Sequence, residues 1–159
     1  MLIGIVAAVA IPVLRSHTPT ALSAAAAEAA SVLRTAVADA QATGRYVLVD
    51  ASGPGQLRLH ASNAAGAIVG ALNDPLTKMP MDLDPSTRPW RDQVSLEARF
   101  FVAGVAYPRL LIGPTGQLQV FEGAVNRGPL ESGSGLVLTA GTASALVGID
   151  VATGRVTFQ

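Results

Sequence analysis

The feature that most constrains this chain is an uninterrupted apolar run at its start. Met1 to Leu14 contains no charged or polar side chain, and Arg15 ends the run. A helix needs roughly 20 apolar residues to span a bilayer, whereas the core of a secretory signal peptide has roughly 7–15 and follows basic residues. A helix buried in a protein core is the third alternative, and none of the three fits the run as it is numbered. We therefore expect the run to be the end of a longer hydrophobic segment that begins upstream of Met1.

The next segment has the composition and spacing of one amphipathic helix. The stretch from Ala21 to Thr43 is rich in alanine, the best helix former, and Gly44 is the residue type preferred just past a helix end. Before it, Thr18 to Thr20 supplies a hydroxyl cap and a proline. These signals predict a helix over 21–43, continuous or nearly so with the apolar run and bent at Pro12 or Pro19. Its larger apolar residues share one face with several alanines at helical spacing: Leu22, Val32, Leu33 and Val37.

After Gly44 the hydrophobic period changes to two, which predicts short antiparallel strands. The first two, 46–49 and 56–60, form a predicted hairpin across the turn at 52–55. The segment 67–72 is apolar but of undetermined type, 73–92 is a loop with closely spaced prolines, and 123–135 is glycine-rich and polar. One helix followed by antiparallel strands is an α+β fold. The remaining predicted strands are 94–102, 110–112, 118–121, 136–139, 146–151 and 155–158.

Composition narrows the functional classes. The 159 residues suit one domain, and eleven basic residues balance eleven acidic ones, which argues against a strongly basic nucleic-acid-binding protein. The chain contains no cysteine, which excludes disulfides, thiol catalysis and cysteine-ligated metals. His17 and His60 belong to no motif and are interpreted as surface histidines, and no nucleophile or phosphate-loop motif occurs. We therefore predict no enzymatic activity, no catalytic residue and no cofactor.

The acidic residues of the 73–92 loop are the one arrangement that suggests a metal. Asp74, Asp82, Asp84 and Asp92 could supply oxygen ligands to calcium. Their spacing matches no EF-hand loop, and solvated carboxylates are common in proline-rich loops. The sequence therefore predicts no metal site and leaves calcium binding by this loop as an open alternative.

The order of these segments resembles a known family. An apolar helix that ends in AAVAIPVL, continues as an alanine-rich amphipathic helix and leads into a β domain resembles type IV pilins and type II secretion pseudopilins. Three shorter motifs resemble the H-type minor pseudopilins and the related T-type fimbrial minor pilins in particular. They are the sequence from Leu33 to Asp50, the strand-P-x-G-strand unit around Gly113 to Gly116, and the closing strand with T-G-R-V from Val147 to Val156.

The resemblance implies a pilin-like fold and a structural role. A long helix, with an apolar anchor half and an amphipathic half, would pack on a C-terminal antiparallel sheet. Residues 1–19 would form the membrane and filament-core segment. Residues 20–159 would form the globular domain, with the helix at 20–43 and the β domain at 45–159. It implies a minor pseudopilin of a type II secretion pseudopilus, processed from a prepilin and methylated, which helps to export folded proteins across the outer membrane. The alternative is a T-type minor pilin with a role in pilus assembly or DNA uptake. The family's basic leader, cleavage-site glycine, phenylalanine and glutamate are expected upstream of Met1.

The resemblance also implies partners and site residues. The expected partners are other pseudopilins or pilins of the filament, the inner-membrane assembly platform and, before assembly, the lipid bilayer; the expected location is the inner membrane, in a single pass, with the domain on the periplasmic or outer side. DNA is not expected as a partner, since Thr157 replaces the second arginine of the G-R-x-R element with which T-type minor pilins contact DNA, and only Arg155 remains as a weak candidate. We predict Leu33 and Val37 in the core, and Leu14 and Leu22 beyond the cover of the sheet. The predicted membrane and filament-assembly residues are Leu2, Ile3, Ile5, Val6, Val9, Ile11, Pro12, Leu14 and Leu22.

Overall fold

The alanine-rich segment forms one helix, as predicted. The computed structural model describes residues 17–53, 55–74 and 76–158, and within them helix α1 spans His17–Thr43. It ends at Gly44, which adopts a φ of 68° and donates its N–H to the carbonyl of Ala40 at 3.1 Å. A glycine in this left-handed conformation closes the last turn without a steric penalty on a Cβ atom. The bend expected at Pro12 lies outside the described residues, whereas Pro19 lies within α1.

The rest of the described chain forms two antiparallel sheets. In the first, the strand order is β3-β2-β1-β7-β8-β9, and β4 pairs with β2; in the second it is β12-β11-β10-β5-β6. The first sheet comprises β1 (Tyr46–Asp50), β2 (Leu57–Ser62), β3 (Ile68–Ala71), β4 (Asp82–Leu83), β7 (Arg109–Ile112), β8 (Leu118–Glu122) and β9 (Val125–Pro129). The second comprises β5 (Ser95–Val102), β6 (Val105–Tyr107), β10 (Gly135–Ala140), β11 (Ala143–Ile149) and β12 (Val156–Phe158), and a short 3-10 helix spans Pro85–Thr87.

Helix α1 lies against both sheets, and its apolar stripe supplies one side of the main core. It contacts β10, β11 and β12 of the second sheet and β1, β4 and β7 of the first. Ala25, Ala29 and Ala36 are fully buried on this stripe, and Leu33 is fully buried among them. Small side chains let the helix backbone approach the strands closely, and the leucine fills the space between the two sheets. Val37 is half-buried and packs against the same core.

A second, smaller cluster covers the opposite face of the first sheet. Leu48, Leu111 and Phe121 are buried there, and the half-buried Tyr46 packs against them. The loop that carries Gly66 lies directly over Phe121, because a Cβ atom on Gly66 would come within 2.6 Å of the phenylalanine ring. Strands β1 and β7, which alternate between the two clusters, are therefore covered on both faces.

The predicted α+β class is confirmed, and the described residues contain four strands beyond the expected ones: β3, β4, β6 and β9. The 67–72 segment forms β3, and the 73–92 loop contains β4 and the 3-10 helix. The reading of 123–135 as glycine-rich connection is wrong in its first half, since residues 125–129 pair with β8 as β9. Strand β6 was also not predicted. Both strands lie at sheet edges, where one neighbour suffices and the apolar alternation that marks a buried strand is absent.

Candidate functional site

The start of α1 is the part of the predicted assembly helix that the structure describes. The predicted residues from Leu2 to Leu14 lie outside the described residues. Leu22 is only 8% exposed and belongs to the main core, so the expectation that the sheet leaves it uncovered is wrong. The reason is the length of the second sheet: Ala143 and Ala145 of β11 and Phe158 of β12 reach the first turns of the helix and share a groove with Leu22.

By length and composition, α1 is able to cross a membrane. The segment Thr20–Thr43 has a mean hydropathy of 1.2 over its most apolar window, and 39% of that window is buried inside the fold. The core helix of a soluble protein can have the same length and hydropathy. In this chain the buried stripe of α1 is domain core, and its alanine content accounts for the hydropathy.

The outer side of the same turns carries small side chains between two grooves. Ser23, Ala24 and Ala27 are exposed and form what we call the N-terminal ridge. One flanking groove, of about 480 Å³, is lined by Leu22, Ala26, Ala143, Ala145 and Phe158 besides two ridge residues. The other, of about 470 Å³, is lined by Thr20, Ala21, Glu28, Pro89, Trp90 and Gln93 besides Ala24. A ridge of small residues between apolar grooves allows a second helix to approach closely.

Glu28 fixes the wall of the second groove. Its carboxylate accepts a hydrogen bond from the indole Nε1 of Trp90 at 3.3 Å and pairs with Arg88 Nη2 at 2.8 Å. Trp90 is 5% exposed and packs in the main core. The Glu28 carboxylate thereby ties the loop before β5 to α1 about three turns after the start of the helix.

Arg155, the weak candidate for DNA contact, is exposed on the connection between β11 and β12. The structure places it beside helix α1, where it lines a cleft together with Arg34. Sequence reasoning did not single out Arg34, because 121 positions separate the two arginines in a chain of 159 residues. The only sequence signal was that Arg34 falls off the apolar stripe of the helix.

Two of the four acidic residues of the 73–92 loop, Asp74 and Asp84, are engaged in local turns, and Asp92 forms an exposed pair with Arg91. Asp74 accepts hydrogen bonds from the N–H groups of Leu76 and Thr77 at 2.8 Å each, and Asp84 accepts one from Ser86 at 2.9 Å as the cap of the 3-10 helix. The backbone donors of Thr77 and Leu76 lower the pKa of Asp74 below its ordinary value. Among the described residues, no group of three His, Asp or Glu side chains lies close enough together to hold a metal ion.

A second polar cluster joins β1 to β7. Asp50 and Arg109 are register partners, and Arg109 Nη2 lies 2.7 Å from Asp50 Oδ2. Arg109 also donates to the carbonyl of Gly123 at 3.0 Å. Partial burial acts to raise the pKa of Asp50, but hydrogen bonds from Ser52 and Arg109 outweigh it, so the pKa lies below its ordinary value. Burial lowers the pKa of the neighbouring His60, which favours its neutral form. The pair between Asp50 and Arg109 links β1 to β7.

Replacing Arg109 by methionine should lower the free energy of unfolding by about 1–2 kcal/mol at pH 7, since Asp50 then keeps its charge in a partly buried position without its cationic partner and retains the hydrogen bond from the Ser52 N–H. Because the pKa of Asp50 is lower in the folded than in the unfolded state, its contribution is present above pH ~4 and is lost as the pH falls through the folded-state value. The loss in Arg109→Met should therefore be smaller at pH 3 than at pH 7. Urea denaturation of both proteins at the two pH values measures it.

Arg99→Met is the matched control for this prediction, because Arg99 forms an exposed pair with Glu97 at 2.9 Å on β5. An exposed pair contributes ~0.2–1 kcal/mol. An equal loss at pH 7 and pH 3 in Arg109→Met would show that the contacts to Gly123 and Ser52, rather than the Asp50 pair, carry the effect.

No protein-family model, curated protein or solved structure matches the chain. The described residues define an α+β fold in which the helix His17–Thr43 packs on an antiparallel β domain.

Proposed function

We propose that this chain is a minor pseudopilin, a structural subunit of a type II secretion pseudopilus that helps to export folded proteins across the outer membrane. The observation that carries the proposal is the division of α1 into two faces. One face is the core of the β domain, while the N-terminal ridge faces outward at the end of the helix nearest the apolar run Met1 to Leu14.

The position of the ridge fits a role in subunit packing. A helical rise of 1.5 Å per residue puts Ala27 roughly 15 Å along the axis from His17. The ridge therefore lies within about 15 Å of the first described residue of α1, and in the proposed filament a neighbouring helix packs along Ser23, Ala24 and Ala27. Close packing of this kind requires small side chains, which the ridge provides.

The rest of the proposal follows from this arrangement. The apolar run anchors the subunit in the inner membrane in a single pass, and the β domain lies in the periplasm. The partners are the other subunits of the filament and the inner-membrane assembly platform, and the lipid bilayer holds the run before assembly. The subunit acts by packing and has no catalytic role.

The alternative function, a T-type minor pilin in pilus assembly or DNA uptake, makes a different prediction for DNA. A DNA-uptake subunit should retard duplex DNA at moderate salt, and the retardation should fall steeply as salt rises. A secretion pseudopilin should not retard it. The genes beside this one, for a secretion ATPase and secretin or for competence proteins, distinguish the two alternatives independently.

The substitution Ala27→Glu should abolish assembly while leaving the domain folded. A carboxylate on the ridge would have to be buried without a partner in a helix-to-helix contact, which is strongly unfavourable. In the isolated subunit the same side chain is solvated, so the melting temperature should change by less than about 3 °C. Secretion by the host and the melting temperature of the purified chain are measured together.

The control is Ala42→Glu, the same substitution at an exposed position near the other end of α1. It should leave both secretion and melting temperature close to those of the unaltered protein. Since the chain contains no cysteine, Ala27→Cys and Ala42→Cys each introduce a single thiol for crosslinking in the host. Crosslinks to other subunits at position 42 but not at position 27 would contradict the proposal.

A further inference from the structure

Two cationic side chains of the described residues have no carboxylate beside them. Arg58 and Lys78 lie close enough to Asp84 and Asp74, respectively, to act on those carboxyl groups electrostatically. The arginines in ion pairs are Arg45, Arg88, Arg91, Arg99, Arg109 and Arg127. Within the described part of the chain this leaves Arg34 and Arg155, and both line the same cleft. In a protein whose formal charges balance, two guanidinium groups at one place, neither of them in an ion pair with a described carboxylate, make a local excess of positive charge.

The cleft lies between α1 and the turn that joins β11 to β12. Its volume is about 350 Å³, and besides the two arginines it is lined by Ala38 and Gln41 of the helix and by Thr153 of the turn. Among the residues that the structure describes, no acidic side chain lines it. The Gln41 side chain adds a neutral amide donor to the guanidinium N–H groups.

Hydrogen bonds within the turn fix the backbone that carries Arg155. Asp150 Oδ1 accepts from the N–H groups of Ala152 and Thr153 at 3.1 and 2.8 Å and from the Thr153 hydroxyl at 2.7 Å. Gly154 adopts a φ of 68°, donates its N–H to the Asp150 carbonyl at 2.8 Å and is buried against the helix. The nearest carboxylate of this turn is therefore occupied by the turn itself, and Arg155 projects from a rigid support.

Arg34 is oriented by an aromatic ring. Its guanidinium carbon lies 5.4 Å from the centre of the Phe158 ring, within the range of a cation–π contact. Such a contact uses the face of the guanidinium plane and leaves the N–H groups at its edge free to donate. The cleft thus contains two guanidinium groups that can donate hydrogen bonds. That of Arg34 packs on Phe158, and that of Arg155 extends from the turn.

We propose that this cleft binds a dianionic oxyanion of the phosphate type. Two guanidinium groups match the charge of a dianion, whereas a single carboxylate would neutralise only one of them, and the guanidinium fork fits tetrahedral oxyanions in a bidentate manner. A membrane headgroup is a poor source, because Arg34 lies roughly 25 Å along the helix axis from His17. The ligand is therefore a soluble phosphate compound. The exclusion of a membrane headgroup rests on the proposed membrane anchor, whereas the phosphate-type chemistry of the cleft rests on Arg34 and Arg155 alone.

The test is a titration of the full chain, in a non-ionic maltoside detergent that carries no phosphate, with inorganic phosphate at constant ionic strength. The readouts are the NMR shifts of the Gly154 and Arg155 amides and of the Arg34 side-chain Nε–H. Saturable shifts should appear at these groups. Arg34→Gln and Arg155→Gln should each weaken the affinity about fivefold, and the double variant should lose it. Arg99→Gln, which removes an exposed arginine elsewhere, should bind as the unaltered chain does.

Three results would overturn the proposal. Acetate could bind as tightly as phosphate, which would remove the argument from charge matching. The shifts could follow ionic strength alone, with chloride acting as well as phosphate. Duplex DNA could shift the same resonances while phosphate does not, which would assign the cleft to a polymer. Trp90 is buried in the folded chain, so its fluorescence emission shows in each case whether the variant remains folded.

Discussion

Replacing Gly135 by alanine should lower the free energy of unfolding by about 3 kcal/mol or more. An added Cβ atom would overlap the carbonyl oxygen of Val147 and would lie 2.9 Å from both the Val147 carbonyl carbon and the Gly148 Cα. All three are backbone atoms of β11, so no side-chain rotation can relieve the overlap. Strand β10 pairs with β11 on one side and with β5 on the other, which prevents it from shifting away.

Gly70→Ala is the matched control for this prediction. Gly70 lies on the edge strand β3, and a Cβ atom there would meet nothing within 4 Å. Its free energy of unfolding should therefore stay within about 0.5 kcal/mol of that of the unaltered protein. Both variants are compared by urea denaturation of the full chain in non-ionic detergent, with the single tryptophan, Trp90, as the fluorescence probe. Equal stability of the two variants would show that β10 and β11 are not packed as closely at Gly135 as described.

Local sequence signals predicted most of the fold because its elements are locally consistent. The alanine content and the terminal glycine define α1 to within a few residues, and the alternation of apolar residues predicts the hairpin of β1 and β2. Strand β9 was missed because VNRGP contains turn-forming residues and lacks apolar alternation. Strand β9 is held by its pairing with β8. That pairing depends on the position of β8 and leaves no pattern in the sequence of β9 itself.

The candidate sites depended on contacts between distant parts of the chain, and these were harder to predict. Sequence spacing placed Leu22 on the apolar stripe but gave no measure of how far the second sheet extends along the helix. Because β11 and β12 reach its first turns, Leu22 is part of the core. The same topology brings Arg34 to Arg155. Charge patterning identified neither arginine as one of a pair, because their proximity is set by the packing of α1 on the second sheet.

Leu33→Ala should lower the free energy of unfolding by about 3–4 kcal/mol, since the leucine is fully buried between the sheets and its removal leaves a cavity that alanine neighbours on the helix cannot fill. Val37→Ala should cost less, about 1 kcal/mol, because Val37 is half-buried and solvent can enter its site. Urea denaturation followed by Trp90 fluorescence measures both. The difference between them reports how the core is distributed along α1.

Leu22→Ser should cost about 2 kcal/mol, an intermediate value, because Leu22 is 8% exposed and borders an open groove. A secretion defect in this variant would therefore combine lost stability with lost assembly, whereas Ala27→Glu alters the exposed ridge alone. If Leu22→Ser is as destabilising as Leu33→Ala, the sheet encloses the first turns of α1 more fully than the groove implies, and less of the helix is available to neighbouring subunits. If Leu22→Ser is nearly neutral, the groove is open enough for a neighbour's side chain to enter. The ranking of these variants thus measures how the start of α1 is shared between the domain core and the proposed filament contact.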